Sequence, residues 1–228
     1  LISAIPDCAA VYTDFYCIDE NGERYELFEC PSTPPEELAF RLLGEMFING
    51  CCVLIARDAL FDIGLFDENL LYNQDADLWI RLASKRRLMH LKEPTVEYRV
   101  HNRQGSVEKA KEVENESKTA YLRLFEQQIL ADKLRGLSKT ERIDHEIGLR
   151  LRFADMVAWK RRWFSVADKQ CDTAWSLCPS IQNPALMRKL VPYSIIPAKI
   201  FWIGRKIKNL YRWLLNVSSE SHYFFVNL

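Results

Sequence analysis

The feature that most constrains this fold is a change of hydrophobic pattern near Ser106. Before it, β-type and short helical segments alternate: Cys8–Asp19 is rich in β-branched and aromatic residues, Asn21-Gly22 is a turn, and Arg24–Glu29 alternates as a returning strand. After Ser106, apolar residues recur at the spacing of one helix face. The sequence therefore predicts an α/β front portion followed by an all-α extension.

Turn and capping signals divide the front portion further. Thr33-Pro34-Pro35-Glu36 matches a capping box, which predicts a helix over about 34–47, and Gly64 is expected to end a short helix. The short helix that ends at Gly64 is predicted over Asp58–Ile63. The other predicted elements are a buried strand over Cys51–Ala56, a helix over about 75–87, and two strands over 87–91 and Thr95–His101.

The extension has the pattern of a helical hairpin. One long helix is predicted over residues 107–135, a second begins at the capping box Ser138-Lys139-Thr140-Glu141, and a partner helix runs over about 164–177. We therefore expect three parts: residues 1–106, a helical extension over 107–191, and a tail over 192–228.

The formal net charge of the 228 residues is zero, but the charge is unevenly spread. Residues 1–110 carry 11 basic and 19 acidic side chains, a net charge of −8, and residues 111–228 carry +8. The basic side chains are spread over helical faces without a recognition motif. We therefore expect solvated helix surfaces and no nucleic-acid partner.

The cysteine and histidine content limits disulfide and metal chemistry. Seven cysteines, an odd number without a C-x-x-C pair, argue against a secreted disulfide framework and favour free thiols in a reducing cytoplasm. Only four histidines are present, which leaves little from which to build a Cys/His zinc site.

Three stretches follow one another in a specific order. They are AAVYTDFYCIDENGERY at 9–25, an apolar strand ending in Arg57 that leads to Gly64–Glu68, Gln74-Asp75 and Asp77–Leu82, and YRVHNRQGS over Tyr98–Ser106. Together they resemble the second half of family-2 glycosyltransferases with the GT-A fold. The resemblance covers roughly residues 1–106 and implies part of a GT-A domain, with a mixed sheet and flanking helices. It implies an inverting sugar transfer from a nucleotide-sugar donor to a glycan or lipid-linked acceptor in surface polysaccharide synthesis.

By this resemblance, Asp75 is the base that takes the proton of the acceptor hydroxyl. A carboxylate suits this role because the sugar ring becomes positively charged in the transition state. The family usually has an acidic residue just before this base, where this chain has Gln74. The predicted substrate-binding residues are Asn49, Gly50, Cys51, Gln74, Asp77 and Arg81.

Other interpretations of these residues stay open. Asp75 also suits the N-cap of the helix predicted there, a role that contributes about 0.5–2 kcal/mol and is compatible with the base role. Asp77 is also explained as a first-turn carboxylate favoured by the helix dipole, and Arg81 as a structural residue. His101 is the candidate for metal or diphosphate binding, because imidazole binds ions such as Mn²⁺, but a hydrogen-bonded surface histidine explains it too.

The resemblance also implies a nucleotide-sugar half, with an Asp-x-Asp metal motif, upstream of Leu1. Asp75-Ala76-Asp77 matches the Asp-x-Asp pattern. It begins an amphipathic helix and does not follow a buried strand, so we do not assign it as the metal motif. We expect a divalent metal, Mn²⁺ or Mg²⁺, in the complete enzyme, and no activity from these 228 residues alone. The competing hypothesis is a non-catalytic helical adaptor that retains a degenerate GT-A remnant.

The tail over 192–228 carries five basic residues and one acidic residue. Apolar residues from Ile200 to Val217 recur every three or four positions, but four charges between residues 205 and 212 interrupt any run long enough to span a bilayer. Such a helix could lie on the anionic inner leaflet as a peripheral anchor, or the same stripe could pack on the helical hairpin.

Liposome co-sedimentation separates these two roles of the tail. If the tail is an anchor, the intact chain pellets with anionic vesicles and does so less at high salt, because each nearby Lys or Arg contributes about 1 kcal/mol. A version that ends at Val191 then stays in the supernatant. If both versions stay in the supernatant, the stripe belongs to the core.

Overall fold

A four-stranded sheet and eight α-helices make up residues 7–177, the part of the chain that the computed structural model describes. In chain order, the elements are β1 (Cys8–Ile18), β2 (Arg24–Phe28), α1 (Pro35–Gly44), a 3₁₀ turn (Gly50–Cys52), β3 (Val53–Ile55), α2 (Arg57–Ile63), α3 (Gln74–Lys85), β4 (Arg87–Arg99), α4 (Gly105–Glu108), α5 (Ala110–Leu124), a π-helical segment (Phe125–Leu130), α6 (Ala131–Lys133), α7 (Lys139–Met156), a second π-helical segment (Val157–Arg161) and α8 (Phe164–Ser176). The predicted tail over 192–228 lies outside the described residues.

The sheet is built around β1. β4 runs parallel to it over its whole length, while β3 and β2 pair antiparallel with residues 10–12 and 15–18 of β1. Because β4 takes one edge of β1 along its length, β3 and β2 share the opposite edge. The sheet is therefore mixed, and the order of elements confirms an α/β portion followed by helices.

The predicted hairpin between β1 and β2 is confirmed. Its turn holds Gly22 at a φ of 93°, and the Asp19 backbone N–H donates to the carbonyl of Glu23 at 3.0 Å. A positive φ of this kind is the conformation that glycine adopts without steric cost, which is why the Asn-Gly pair predicted the turn.

The predicted buried strand over Cys51–Ala56 is wrong in both extent and burial. The Asn49 side chain accepts a hydrogen bond from the Cys51 backbone N–H, which starts the 3₁₀ turn and delays the strand. The strand that remains, β3, has three residues, and its central Leu54 is 68% exposed.

The two strands predicted over 87–101 form one strand, β4, which continues through Pro94. The register between β1 and β4 shifts at Asp14, which lies opposite Pro94. A bulge of this kind accommodates proline, which has no N–H to donate to a neighbouring strand. The proline interrupts the sequence pattern without ending the strand.

The residues predicted to begin or end helices were confirmed at Gly64 and Ser138 and wrong at Thr33. Gly64 ends α2 at a φ of 90°, and the Ser138 capping box is confirmed, with the side chains of Ser138 and Glu141 each capping the other's backbone.

The capping box predicted at Thr33 is wrong. Pro34 is the N-cap of α1, because Pro35 forces the residue before it into an extended conformation. The Thr33 hydroxyl donates instead to the Pro31 carbonyl. The helix predicted over 107–135 is interrupted at Lys109 and becomes π-helical after Leu124.

The chain divides into two units after Ile129. In the first unit, α1 and α5 both pack on α3. In the second, α7 packs on α8. Residues that are almost fully buried in these two cores are Tyr12, Leu38, Leu42, Leu78 and Leu82 in the first and Ile147, Phe153, Ala167 and Ala174 in the second. Among residues 7–177, no helix combines the length and apolar character needed to cross a membrane.

A buried carboxylate ties α3 to α5. Asp77 on α3 is 0% exposed, and its Oδ2 accepts from Arg81 Nε at 2.7 Å while its Oδ1 accepts from Arg123 Nη2 on α5 at 2.8 Å. Arg123 also donates to Asp67 at 3.0 Å. A buried charge is tolerated only when it is paired in this way.

We expect Asp77→Ala to lower the free energy of unfolding of the first unit by about 3–5 kcal/mol, because it leaves arginine charges without their buried partner. Urea unfolding, with hydrogen exchange of the α3 amides as the local probe, measures this loss. Asp62→Ala is the matched control: it breaks the exposed Asp62–Arg86 pair, and we expect a loss of less than about 1 kcal/mol. Equal losses from both variants would contradict the structural role of Asp77.

Candidate functional site

Asp75 lies in the first turn of α3, but it is not the capping residue. Asn73 is the N-cap, so the interpretation of Asp75 as a cap is wrong. The Asp75 Oδ1 accepts a hydrogen bond from the Ala76 backbone N–H at 2.7 Å. Among residues 7–177, no lysine or arginine forms an ion pair with Asp75, in contrast to Asp77 two residues later.

Burial changes the acidity of Asp75. The half-buried position raises the pKa of this carboxyl above its usual 3.8, because the charged form loses water, and the backbone N–H groups of Asp75 and Ala76 offset only part of this. The carboxyl group is therefore a better proton acceptor, when ionised, than a surface aspartate.

Asp75 and Gly50 are neighbours although 25 positions separate them. A Cβ atom built on Gly50 would lie 3.7 Å from Asp75 Oδ2, which is ordinary van der Waals contact. A larger side chain at position 50 would extend toward the carboxylate. Glycine therefore leaves space beside Oδ2 that most residues would fill.

The 3₁₀ turn fixes the position of Gly50. Asn49 caps this turn by accepting from the Cys51 N–H at 2.9 Å, while Cys51 itself is exposed and Cys52 is buried. Of the predicted substrate-binding residues, the structure thus brings Asn49, Gly50 and Cys51 to one turn, and that turn to Asp75. Their contact with a substrate stays a prediction.

The other predicted binding residues have different surroundings. Gln74 is exposed. Asp77 has an arginine on each carboxylate oxygen, and Arg81 donates to the carbonyls of Ile63 and Leu65 at 2.6 Å each. The segment Asp75-Ala76-Asp77 therefore does not offer two carboxylates to a ligand, because both oxygens of Asp77 already accept from arginines. Arg81 thus holds α3 to the end of α2 and to the loop after it, and Asp77 holds α3 to α5.

Asp77 and Arg81 also line a polar cavity of about 480 Å³ in the first unit. The N–H of Asn69 and the Arg123 side chain lower the pKa of Asp67 in its wall to about 2. The remaining lining residues are Gly64, Phe66, Glu68, Asn69, Arg123, Leu124, Gln127 and Gln128. The cavity is rich in hydrogen-bonding side chains, but Asp75 does not line it.

Glu116 on α5 fixes the loop that leads into α3. Its carboxylate accepts from the backbone N–H groups of Leu71, Tyr72 and Asn73 at 2.8–2.9 Å, and from Asn73 Nδ2 at 2.9 Å. Burial would raise the pKa of Glu116, but these donors outweigh it and lower the pKa. Sequence reasoning missed Glu116, because it lies in a charged helical stretch with no motif.

His101 follows β4 and is half-buried. In the described part of the chain it belongs to no group of three metal-ligating side chains. Such a group forms elsewhere, from Asp14, Cys30 and His90, whose ligand atoms all lie within 4.8 Å of one another. No spacing pattern in the sequence indicated it, because the three residues come from β1, the loop after β2, and β4.

A comparison with curated proteins finds a relative from Rickettsia felis named "Uncharacterized glycosyltransferase", which is 30% identical over 99 residues. The match covers 42% of this chain and 16% of the relative, so it spans about a sixth of that protein's length. No family model matches the chain. The chain is thus related in sequence to a protein with that name over less than half of its own length.

The raised pKa of Asp75 predicts how its removal changes stability. Below pH 3.8, Asp75 is protonated in both the folded and the unfolded chain. As the pH rises, Asp75 ionises first in the unfolded chain, where its pKa is lower, so the folded state loses stability. We therefore expect Asp75→Asn to raise Tm near neutral pH, with a gain that shrinks as the pH falls toward 3.8.

Circular dichroism melts across this pH range measure the effect, with Asp58→Asn as control. Asp58 is exposed in the first turn of α2, where the helix dipole favours its charge, so that variant should gain no stability. A Tm difference for Asp75→Asn that does not change with pH would contradict the role of burial.

Proposed function

We propose that residues 1–106 are the acceptor-side part of a family-2, GT-A-fold glycosyltransferase. The sequence relationship to the Rickettsia felis protein supports a glycosyltransferase role. The observation that carries the proposal is the half-buried Asp75, which has no cation partner among the described residues and lies beside Gly50. In this role, Asp75 is the catalytic base.

The proposed reaction is an inverting displacement. The acceptor hydroxyl oxygen forms a bond to the anomeric carbon, the bond from that carbon to the nucleotide diphosphate breaks, and the hydroxyl proton passes to Asp75. A positioned base of this kind contributes about 10²–10⁴-fold to the rate. Burial makes the Asp75 carboxylate more basic, and Gln74 adds no second negative charge beside it.

The surroundings of Asp75 suit an incoming hydroxyl group. Gly50 carries no side chain to cover Oδ2, so an acceptor can approach from that side. Glu116 holds the loop before α3, and Asp77 holds α3 to α5, so the carboxylate lies on a rigid support. Preorganisation of this kind removes the entropy cost of aligning the base with its substrate.

We propose a nucleotide-sugar donor and a glycan or lipid-linked acceptor for the complete protein, acting in surface polysaccharide synthesis. A tail over 192–228 that binds the inner face of the membrane would suit a lipid-linked acceptor. Among the described residues, Asp77 is held by two arginines, and His101 belongs to no group of three metal-ligating side chains. A divalent metal, Mn²⁺ or Mg²⁺, stays a proposal for the complete protein, and His101 is the proposed contribution of this chain to its site.

In the complete protein, we expect Asp75→Asn to lower sugar transfer by about 10²–10⁴-fold while donor binding stays nearly unchanged, because the carboxamide keeps the shape of the side chain but cannot accept the proton. Release of nucleoside diphosphate from a panel of nucleotide sugars measures transfer, and calorimetry measures donor affinity. Asp58→Asn is the control for loss of an aspartate elsewhere.

Near-normal turnover of Asp75→Asn would remove Asp75 from the base role. If the wild-type complete protein bound and consumed no nucleotide sugar at all, the enzyme proposal would fall and the helical adaptor would remain.

A further inference from the structure

Three side-chain atoms that can bind a metal ion lie close together in the first unit: an oxygen, a sulfur and a nitrogen. They are a carboxylate oxygen of Asp14, the Sγ of Cys30 and a ring nitrogen of His90, all within 4.8 Å of one another. Asp14 is 2% exposed, Cys30 is 5% exposed, and the His90 side chain is 14% exposed. The cluster is therefore largely shielded from solvent.

We propose that Asp14, Cys30 and His90 bind a transition-metal ion of the zinc type. The sulfur, nitrogen and oxygen donors of these three side chains are the set that Zn²⁺ uses in proteins. Mg²⁺ and Ca²⁺ prefer sites made of oxygen ligands, so a thiolate and an imidazole select against them. The proposal is independent of the sugar-transfer chemistry, because none of the three residues has a part in it.

The strand register fixes two of the three ligands. His90 on β4 lies opposite Tyr12 on β1, and the two rings stack with centroids 5.1 Å apart and planes 8° apart. Asp14 lies two residues after Tyr12 and so on the same face of β1. Its Oδ1 is 2.7 Å from His90 Nε2. Both ligands are thus held in place before any ion binds.

Cys30 is brought in by its own backbone. Its N–H donates to Asp14 Oδ1 at 2.7 Å, which anchors the loop after β2 to the centre of the sheet. The Cys30 Sγ lies 3.5 Å from the carbonyl oxygens of Thr13 and Phe47. A carbonyl or a water molecule could complete four-coordination, as the fourth ligand does at zinc sites with three protein side chains.

The charges and protons of this step balance. In the metal-free state, the Cys30 thiol carries the proton that it donates to the Thr13 and Phe47 carbonyls, and His90 Nε2 carries the proton that it shares with Asp14 Oδ1. On binding, the thiol releases its proton to solvent as the metal–sulfur bond forms. The hydrogen bond from Nε2 to Oδ1 breaks, the ring proton moves to Nδ1 by exchange with solvent, and Nε2 offers its lone pair to the ion. The thiolate and the carboxylate together neutralise a divalent ion, so no net charge is buried.

The surroundings of Cys30 argue against a different role for it. A nucleophilic cysteine lies in a partly exposed, electropositive place, whereas Cys30 is 5% exposed and lies beside the Asp14 carboxylate. The remaining alternative is a hydrogen-bonded cluster that holds β1, β4 and the loop together without an ion. The two hypotheses differ in what happens when metal is added.

Cobalt titration of the metal-free 228-residue protein tests for the metal–sulfur bond. We expect a thiolate-to-cobalt charge-transfer band that saturates at one equivalent, is displaced by Zn²⁺, and is lost in Cys30→Ser. The matched control is Cys51→Ser, which removes an exposed thiol and should leave the band intact. No band in the wild type, or a band that follows Cys51, would overturn the proposal.

Thermal unfolding gives a second, independent measurement. With zinc at about 100 times its Kd, we expect Tm of the wild type to rise by about 5–10 °C, and that of Cys30→Ser by much less. If Cys30→Ser does not fold, alkylation of the wild type followed by peptide mass spectrometry decides: bound zinc should slow modification of Cys30 at least tenfold and leave Cys51 unchanged. Equal rates at Cys30 with and without zinc would show a hydrogen-bonded cluster only.

Discussion

The central position of β1 is the constraint on which the first unit depends. Each of the other strands in the described chain pairs with β1, and with β4 on one edge and β2 and β3 on the other, ten of its eleven residues are buried. One face of β1 carries Tyr12 and Asp14 toward His90 and Cys30, and its opposite face carries Phe15 and Cys17 into an apolar cluster with Cys52. A change in β1 therefore reaches the hairpin, the proposed metal cluster and the turn that holds Gly50.

The two aspartates at the start of α3 show how the fold distributes charge. Asp77 is fully buried and is neutralised by Arg81 and Arg123, so it stabilises the packing of α3 on α5. Asp75, two residues earlier, is half-buried without a cation partner among residues 7–177, and burial raises its pKa. Leaving one carboxylate unneutralised costs stability, and such costs are typical of functional sites.

Turns and helix ends were predicted correctly where they depend only on residues close together in the sequence. The Asn21-Gly22 turn, Gly64 at the end of α2 and the Ser138 capping box all depend on contacts within a few residues, so the pattern suffices. Prediction was wrong where a proline or a cap competed with the pattern, as at Thr33 and at Cys51–Ala56, and where pairing with β1 carried a strand through Pro94.

The sequence by itself determined the α/β portion and the helices that follow it, because periodicity and turn residues are written along the chain. Asp75 became the candidate base through the resemblance of its motifs, in their order, to those of a known family. Only the tertiary structure decided that Asp75 lies beside Gly50, that Glu116 holds the loop before α3, and that Asp14, Cys30 and His90 meet. These contacts join residues between 16 and 76 positions apart. The pairing of β4 with β1 brings His90 to Asp14, and the packing of α5 on α3 brings Glu116 to Asn73. No spacing in a single sequence encodes either arrangement.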